Sequence, residues 1–215
     1  MKIVLFLISF LMFYSSFSQF QGIVKYIGSV DTSNIEKKID SLDKVKKDKV
    51  VLKDALYKVL SDTKSINYTL EFNSNESKFY KETSELEVKN VSFNLTEILG
   101  GKGLFYCKLK DRELLTQMEA YGEDFLISKN IDSLKWKLLN ISKKIGKYNC
   151  YKATTQERVV NSKGIFFKEV VAWYTLDIPV SFGPKNFNNL PGLILQLKID
   201  KFLFKAINIS LKDDP

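Results

Sequence analysis

Glu169 and Asp177 flank an aromatic stretch, 170–174, and form the arrangement in this sequence nearest to a catalytic one. Two carboxylates can hydrolyse a glycosidic bond when one protonates the leaving group and the other attacks or activates water. Strand alternation places Glu169 on one face with Val171 and Trp173, and Asp177 lies near the strand end. No motif surrounds the pair, and acids at strand ends are ordinarily solvated, so the sequence assigns no catalytic residue. Ser181 lacks a G-x-S-x-G setting, and Lys185 has no partner pattern.

The chain contains no histidine. That removes the Ser-His-Asp triad, an activated Cys-His pair and every His-ligated metal or haem. Cys107 and Cys150 are the only cysteines, too few for a structural zinc site or an iron–sulfur cluster. Asp31, Asp43, Asp48, Asp213 and Asp214 lack calcium-loop spacing. The expectation is a protein that is not an enzyme and uses no metal or cofactor. The two cysteines leave two readings open. One is a single bridge closing a large loop, worth about 3–5 kcal/mol; the other is a pair of buried free thiols.

The 33 basic residues exceed the 25 acidic ones, a formal charge of +8, but 31 are lysine; only Arg112 and Arg158 carry the planar fork that reads phosphates and bases. This composition points to a lysine-coated surface and away from nucleic acid. With 45% apolar and 13% aromatic residues the chain can fill a core.

Several elements must position these residues. Over 33–61, Ile35, Ile39, Leu42, Val45, Leu52, Leu56 and Val59 recur at helical spacing behind an S-x-x-E capping box, Ser33 and Glu36. The seam breaks at Lys49, so this is one helix of roughly 40 Å or a helical hairpin with a charged joint at 46–49. The remainder reads as strands: 22–30, 65–72, 78–82, 103–110, 113–120, 124–128, 134–139, 148–160, 164–175, 192–199 and 202–211. Segment 86–101 is the least regular. The predicted fold is mainly β, a single antiparallel sheet that curls into a bowl or half-barrel, because so many strands in one open sheet twist strongly.

Residues 1–18 read as a secretory leader: Lys2, an apolar run over 3–14, then Ser16 and Ser18 before the cleavage point. Residues 19–215 then form one exported domain. Six N-x-S/T triplets, at Asn67, Asn75, Asn90, Asn94, Asn140 and Asn208, are read as chance products of an Asn-rich chain.

The most distinctive stretch is 171–197, which holds Pro179, Gly183-Pro184 and Pro191-Gly192. It reads as strand, ordered loop, strand. Asn189-Leu190-Pro191-Gly192 is a turn in which proline fixes φ and glycine supplies a positive φ. The chain here resembles the GLPGLI family, secreted envelope proteins of Bacteroidota. The motif reads Asn189-Leu190-Pro191-Gly192-Leu193-Ile194, with asparagine in place of the first glycine. Asparagine tolerates the left-handed region, so the turn survives the exchange. YTLEFNSNESKFYKE from Tyr68, WKLLNISKKIGKYNCYKATT from Trp136 and AWYTLDIPVSFGP from Ala172 are similar to the family as well.

The resemblance implies a bowl-like β module, similar to one attached to some bacterial glycan-releasing enzymes. It also implies a periplasmic, outer-membrane-associated or secreted location, without an established activity. The motif is architectural on this reading. A concave face would shelter a lipid-like ligand, a peptide or an envelope protein, with Trp136, Trp173, Tyr174, Phe182 and Phe187 as candidate lining. The alternatives are an assembly partner of an outer-membrane receptor or transport system, and a glycan-acting enzyme using carboxylates. A lysine-rich helix face outside the bowl would give a peripheral membrane contact.

Overall fold

A computed structural model of the chain describes residues 21–43, 50–61, 63–83, 95–101, 103–120 and 122–212. The leader over 1–18, the joint at 46–49 and residues 86–94 of the irregular stretch lie outside the described residues.

Eleven strands form one antiparallel sheet in the order β6-β5-β4-β3-β2-β1-β11-β10-β9-β8-β7. The strands are β1 Gln21–Val30, β2 Ile66–Phe72, β3 Glu76–Lys81, β4 Leu104–Lys108, β5 Glu113–Ala120, β6 Glu123–Asn130, β7 Lys137–Ile145, β8 Tyr148–Asn161, β9 Gly164–Thr175, β10 Leu193–Ile199 and β11 Phe202–Lys212. Each arises from alternation: in β1 the buried positions are Gly22, Val24, Tyr26 and Gly28, and their neighbours are half-exposed.

Connectivity forces the curl. The two end strands, β6 and β7, are consecutive in the chain, yet ten strand spacings separate them in the sheet. Laid flat, those spacings would span about 48 Å, whereas the link from Asn130 to Lys137 reaches at most about 25 Å. The sheet therefore bends until its wings face one another, without closing. A 3₁₀ turn, Ile131–Ser133, anchors the link: Asn130 Oδ1 accepts from the Asp132 amide at 2.8 Å, and the Ile131 amide donates to the Arg112 carbonyl at 2.9 Å. Arg112 also pairs through two nitrogens with Asp132.

The concave side is filled from two sources. Tyr26, Tyr68, Phe79, Phe105 and Phe204 interlock, with Tyr68 stacked on Phe79 at 5.4 Å and Phe204 edge-on to both. The 176–192 loop adds Ile178, Val180, Phe182, Phe187 and Leu190, all buried. Backbone bonds tie this loop to the sheet: Leu193 N donates to Ile178 O and Ile194 N to Phe182 O, each at 3.0 Å. The Tyr26 hydroxyl, fully buried, donates to Ile194 O at 2.6 Å and clamps the centre of the sheet to the start of β10. Tyr26→Phe leaves that carbonyl one donor short and should cost about 1–3 kcal/mol, read as a fall in the urea midpoint at unchanged m-value.

The helical segment is a hairpin: α1, Ser33–Asp43, packs against α2, Val50–Ser61. The capping differs from the expected Ser33–Glu36 box. Thr32 caps α1, its carbonyl accepting from Ile35 N and Glu36 N and its hydroxyl donating to Glu36 at 2.6 Å. Ser33 instead bonds Asp31 through its amide and hydroxyl. The helix starts one residue early because Asp31 takes up the serine. Hydrogen bonds from Ser33 and Lys198 hold the Asp31 carboxyl down at about 2. A third helix, α3, Leu95–Gly100, ends the irregular stretch and is joined to β3 by Lys81–Glu97 at 2.9 Å.

Cys107 on β4 and Cys150 on β8 are free and buried, in opposite wings of the sheet. Of the two readings, the thiol pair is the one the fold contains. Burial pushes Cys107 up to about 12 and Cys150 to about 11. Native protein should resist a thiol reagent, release two equivalents only on unfolding, and keep its Tm in excess reductant.

Candidate functional site

The facing wings leave a cleft of about 560 Å³, within the roughly 300–1,000 Å³ of small-molecule sites. One wall is the inner face of β4, β5 and β6, carrying Phe105, Leu114, Thr116, Met118, Ile127 and Lys129. The other is β8 at 156–158, and the floor is Lys185, Asn186 and Phe187 from the long loop. Residues 155–161 of β8 extend past the point where β7 begins to pair, so this wall has an open edge. No described residue of α1 or α2 lines the cleft.

The floor is held in place by polar side chains of the 176–192 loop. Asn188 is buried and its Oδ1 accepts from Gly183 N at 3.0 Å, folding the chain back on itself. Asn186 Nδ2 donates to Thr116 Oγ1 at 2.8 Å, tying the loop to β5; its buried Oδ1 has no hydrogen-bond partner. Lys185 takes a left-handed backbone, φ +57°, which is uncommon for a residue with a side chain. Its ammonium lies 5.5 Å from the Phe105 ring centre. Desolvation by the walls lowers its pKa, with Glu157 opposing and Lys168 and Lys129 reinforcing the shift.

The five aromatic residues expected in the cleft divide. Phe187 lines it. Trp136 supports Phe187 from behind, ring centres 6.3 Å apart, and its indole donates to Asn188 O at 2.9 Å. Phe182 and Tyr174 are core residues, Phe182 beside Phe72 and Tyr174 beside Tyr151. Trp173 points to the opposite face of β9 from buried Val170, Ala172 and Tyr174, where Lys143 Nζ lies 4.1 Å from its ring centre. An aromatic strand satisfies its own core first, and of these five only Phe187 reaches the cavity. The lining from β5, β6 and β8 was missed, as was Lys185. Lys185 as the one cation of the 176–192 loop, directly after Gly183-Pro184, was the available signal.

Glu169 and Asp177 do not share a site. Glu169 stands opposite Gln156 in register, and Asp177 Oδ2 accepts from Asn149 N at 3.3 Å. Seven residues of β8 separate those partners, about 23 Å, whereas glycosidase carboxylates lie about 5–9.5 Å apart. Glu157 is the one carboxylate among the cleft's described lining residues. No group of three or more Cys, Asp or Glu among the described residues is placed to hold a metal. No described helix is long and apolar enough to cross a membrane.

The 189–194 motif is backbone architecture. Asn189 has φ +70°, the left-handed conformation expected of it. Gly192 departs from expectation: it has no positive φ, and its role is close approach, because a Cβ there would sit 1.9 Å from Thr175 O. Leu190, Leu193 and Ile194 are buried.

Residues 136–196 match a family model described as a protein of unknown function (Porph_ging). The matched stretch contains the cleft floor, the β8 wall and the motif. No curated protein matches. Among solved structures, PNGF-II in the C2 space group is similar with a TM-score of 0.54 at 17% identity, over 92% of this chain and 28% of that one. PNGF-II in the P21 space group is similar with a TM-score of 0.52 at 18% identity, over 92% and 29%. This chain therefore spans less than a third of PNGF-II, and at such identity the likeness is one of fold.

Proposed function

We propose that this chain is an exported, non-catalytic cell-envelope protein of the GLPGLI type that binds an apolar ligand between the wings of its sheet. The observation that carries this reading is the open cleft itself. Its walls present Leu114, Met118, Ile127, Leu134 and Phe187 to a space that the core residues leave unfilled. The leader reading of 1–18 and the resemblance support the exported location. The carboxylate-dependent glycan-acting alternative needs two carboxylates at one site, and among the described lining residues the cleft offers Glu157.

The test is native mass spectrometry of the mature chain extracted gently from its own envelope, with binding of the uncharged dye Nile red in parallel. An added mass that leaves on denaturation, and dye binding weakened by Met118→Trp, are expected. A bare mass with no dye binding would overturn the reading. A second reading, an assembly partner of an outer-membrane receptor or transport system, is favoured by the tip of the β8–β9 hairpin, where Val160, Ile165, Phe166 and Phe167 are exposed. That reading expects a second polypeptide in the same spectrum, lost in Phe167→Ser.

A further inference from the structure

Lys185 is the anomaly of the cleft. Among the described residues its ammonium has no hydrogen bond and no ion pair; its close contact is the face of Phe105. Lysines of folded proteins keep the charged head in water. This one is instead carried into the cavity on a left-handed backbone, a conformation that residues with a side chain rarely adopt. Strain of this kind concentrates where a ligand is held.

The surroundings leave positive charge over. Glu157 stands opposite Lys168 across the β8–β9 ladder. Against Glu157, the one carboxylate of the cleft's described lining, stand three cations, Lys129 on β6, Arg158 on β8 and Lys185 on the floor. The lining around Lys185 is largely apolar: Phe105 and Ile127 stand in register with Thr116 on either side of β5, and Leu114 and Met118 lie one alternation away in each direction.

Building on the reading of the cleft as a ligand site, we propose that its ligand is an amphiphilic carboxylate. The anionic head pairs with the Lys185 ammonium beside Phe105. The hydrocarbon tail runs along Leu114, Met118, Ile127 and Phe187. The pairing would give the desolvated ammonium the direct ion pair it lacks, and Lys129 and Arg158 would add to the attraction for the head. Removing the ammonium leaves the tail's contacts intact.

Calorimetric titration of the full chain with dodecanoate and with dodecanol, both below their aggregation limits, tests this. The native chain should bind dodecanoate about ten- to a hundredfold more tightly than dodecanol, the range of a charge-assisted hydrogen bond in a desolvated site. Lys185→Met should erase that preference and leave dodecanol affinity within about twofold. Lys37→Met, on the exposed face of α1, should change neither. Should Lys185→Met not fold, as judged by circular dichroism, the preference of the native chain for dodecanoate over dodecanol still decides. Equal binding of acid and alcohol would overturn the carboxylate assignment and leave the apolar cleft standing. Binding of neither would overturn both.

Discussion

Gly192→Ala should yield no folded protein. The added Cβ would sit 1.9 Å from the Thr175 carbonyl oxygen and 2.7 Å from its carbon. Both obstacles are backbone, and both belong to the end of β9, where Leu193 is paired with Thr175. No rotamer change relieves such an overlap, so β9 and β10 must separate there. Separation would break the bonds from Leu193 and Ile194 that seat the 176–192 loop. A loss above about 4 kcal/mol is expected, much of the about 5–15 kcal/mol available to a whole domain. Soluble yield and the thermal melt measure it. Asn189→Gly is the control. It restores glycine at a position already left-handed, so stability should move by no more than about 1 kcal/mol. A Gly192→Ala chain that melts like the native one would show that the motif does not hold the loop.

Phe182→Ala should be the most damaging truncation in the loop, at about 3–5 kcal/mol. Phe182 is fully buried, stands 6.2 Å from Phe72 across the concave face, and its carbonyl accepts from Ile194. The cavity left behind cannot collapse readily, since the backbone on both sides is hydrogen-bonded. Urea denaturation would give the loss directly. Because the same loop supplies the cleft floor, Nile red affinity should fall with it. A stability loss without a change in dye binding would mean that the dye sits elsewhere.

Stability should also fall in strong acid through Asp31. Its carboxyl is held at about 2 by hydrogen bonds from Ser33 and Lys198, below its ordinary value of 3.8. The contribution is present above that ordinary value and is lost as pH drops towards 2. The site is exposed, so the loss is small; an Asp31→Asn chain should show a flatter acid limb.

Much of the scaffold was legible in the residues. Alternation in β1 and β2, the β8–β9 hairpin around Asn161 and Gly164, and the hairpin alternative for α1 and α2 all follow from local periodicity. Local chemistry also determined Asn189, since asparagine suits a left-handed turn whatever surrounds it. The sequence alone therefore settled a mainly β chain with a curled antiparallel sheet, because these properties depend on near neighbours and on strand number.

Tertiary structure decided the rest. Gly192 could not be read as a close-approach glycine without Thr175 beside it. Nor could the aromatic strand be sorted into Tyr174 facing the core and Trp173 facing Lys143 without the sheet's inner side being known. The cleft joins β5, β6, β8 and the loop at Lys185, segments up to about seventy residues apart in the chain. Such a site exists only because a short link draws the two ends of the sheet together, and burial, which gives Lys185 its character, is a property of the walls and not of the residue.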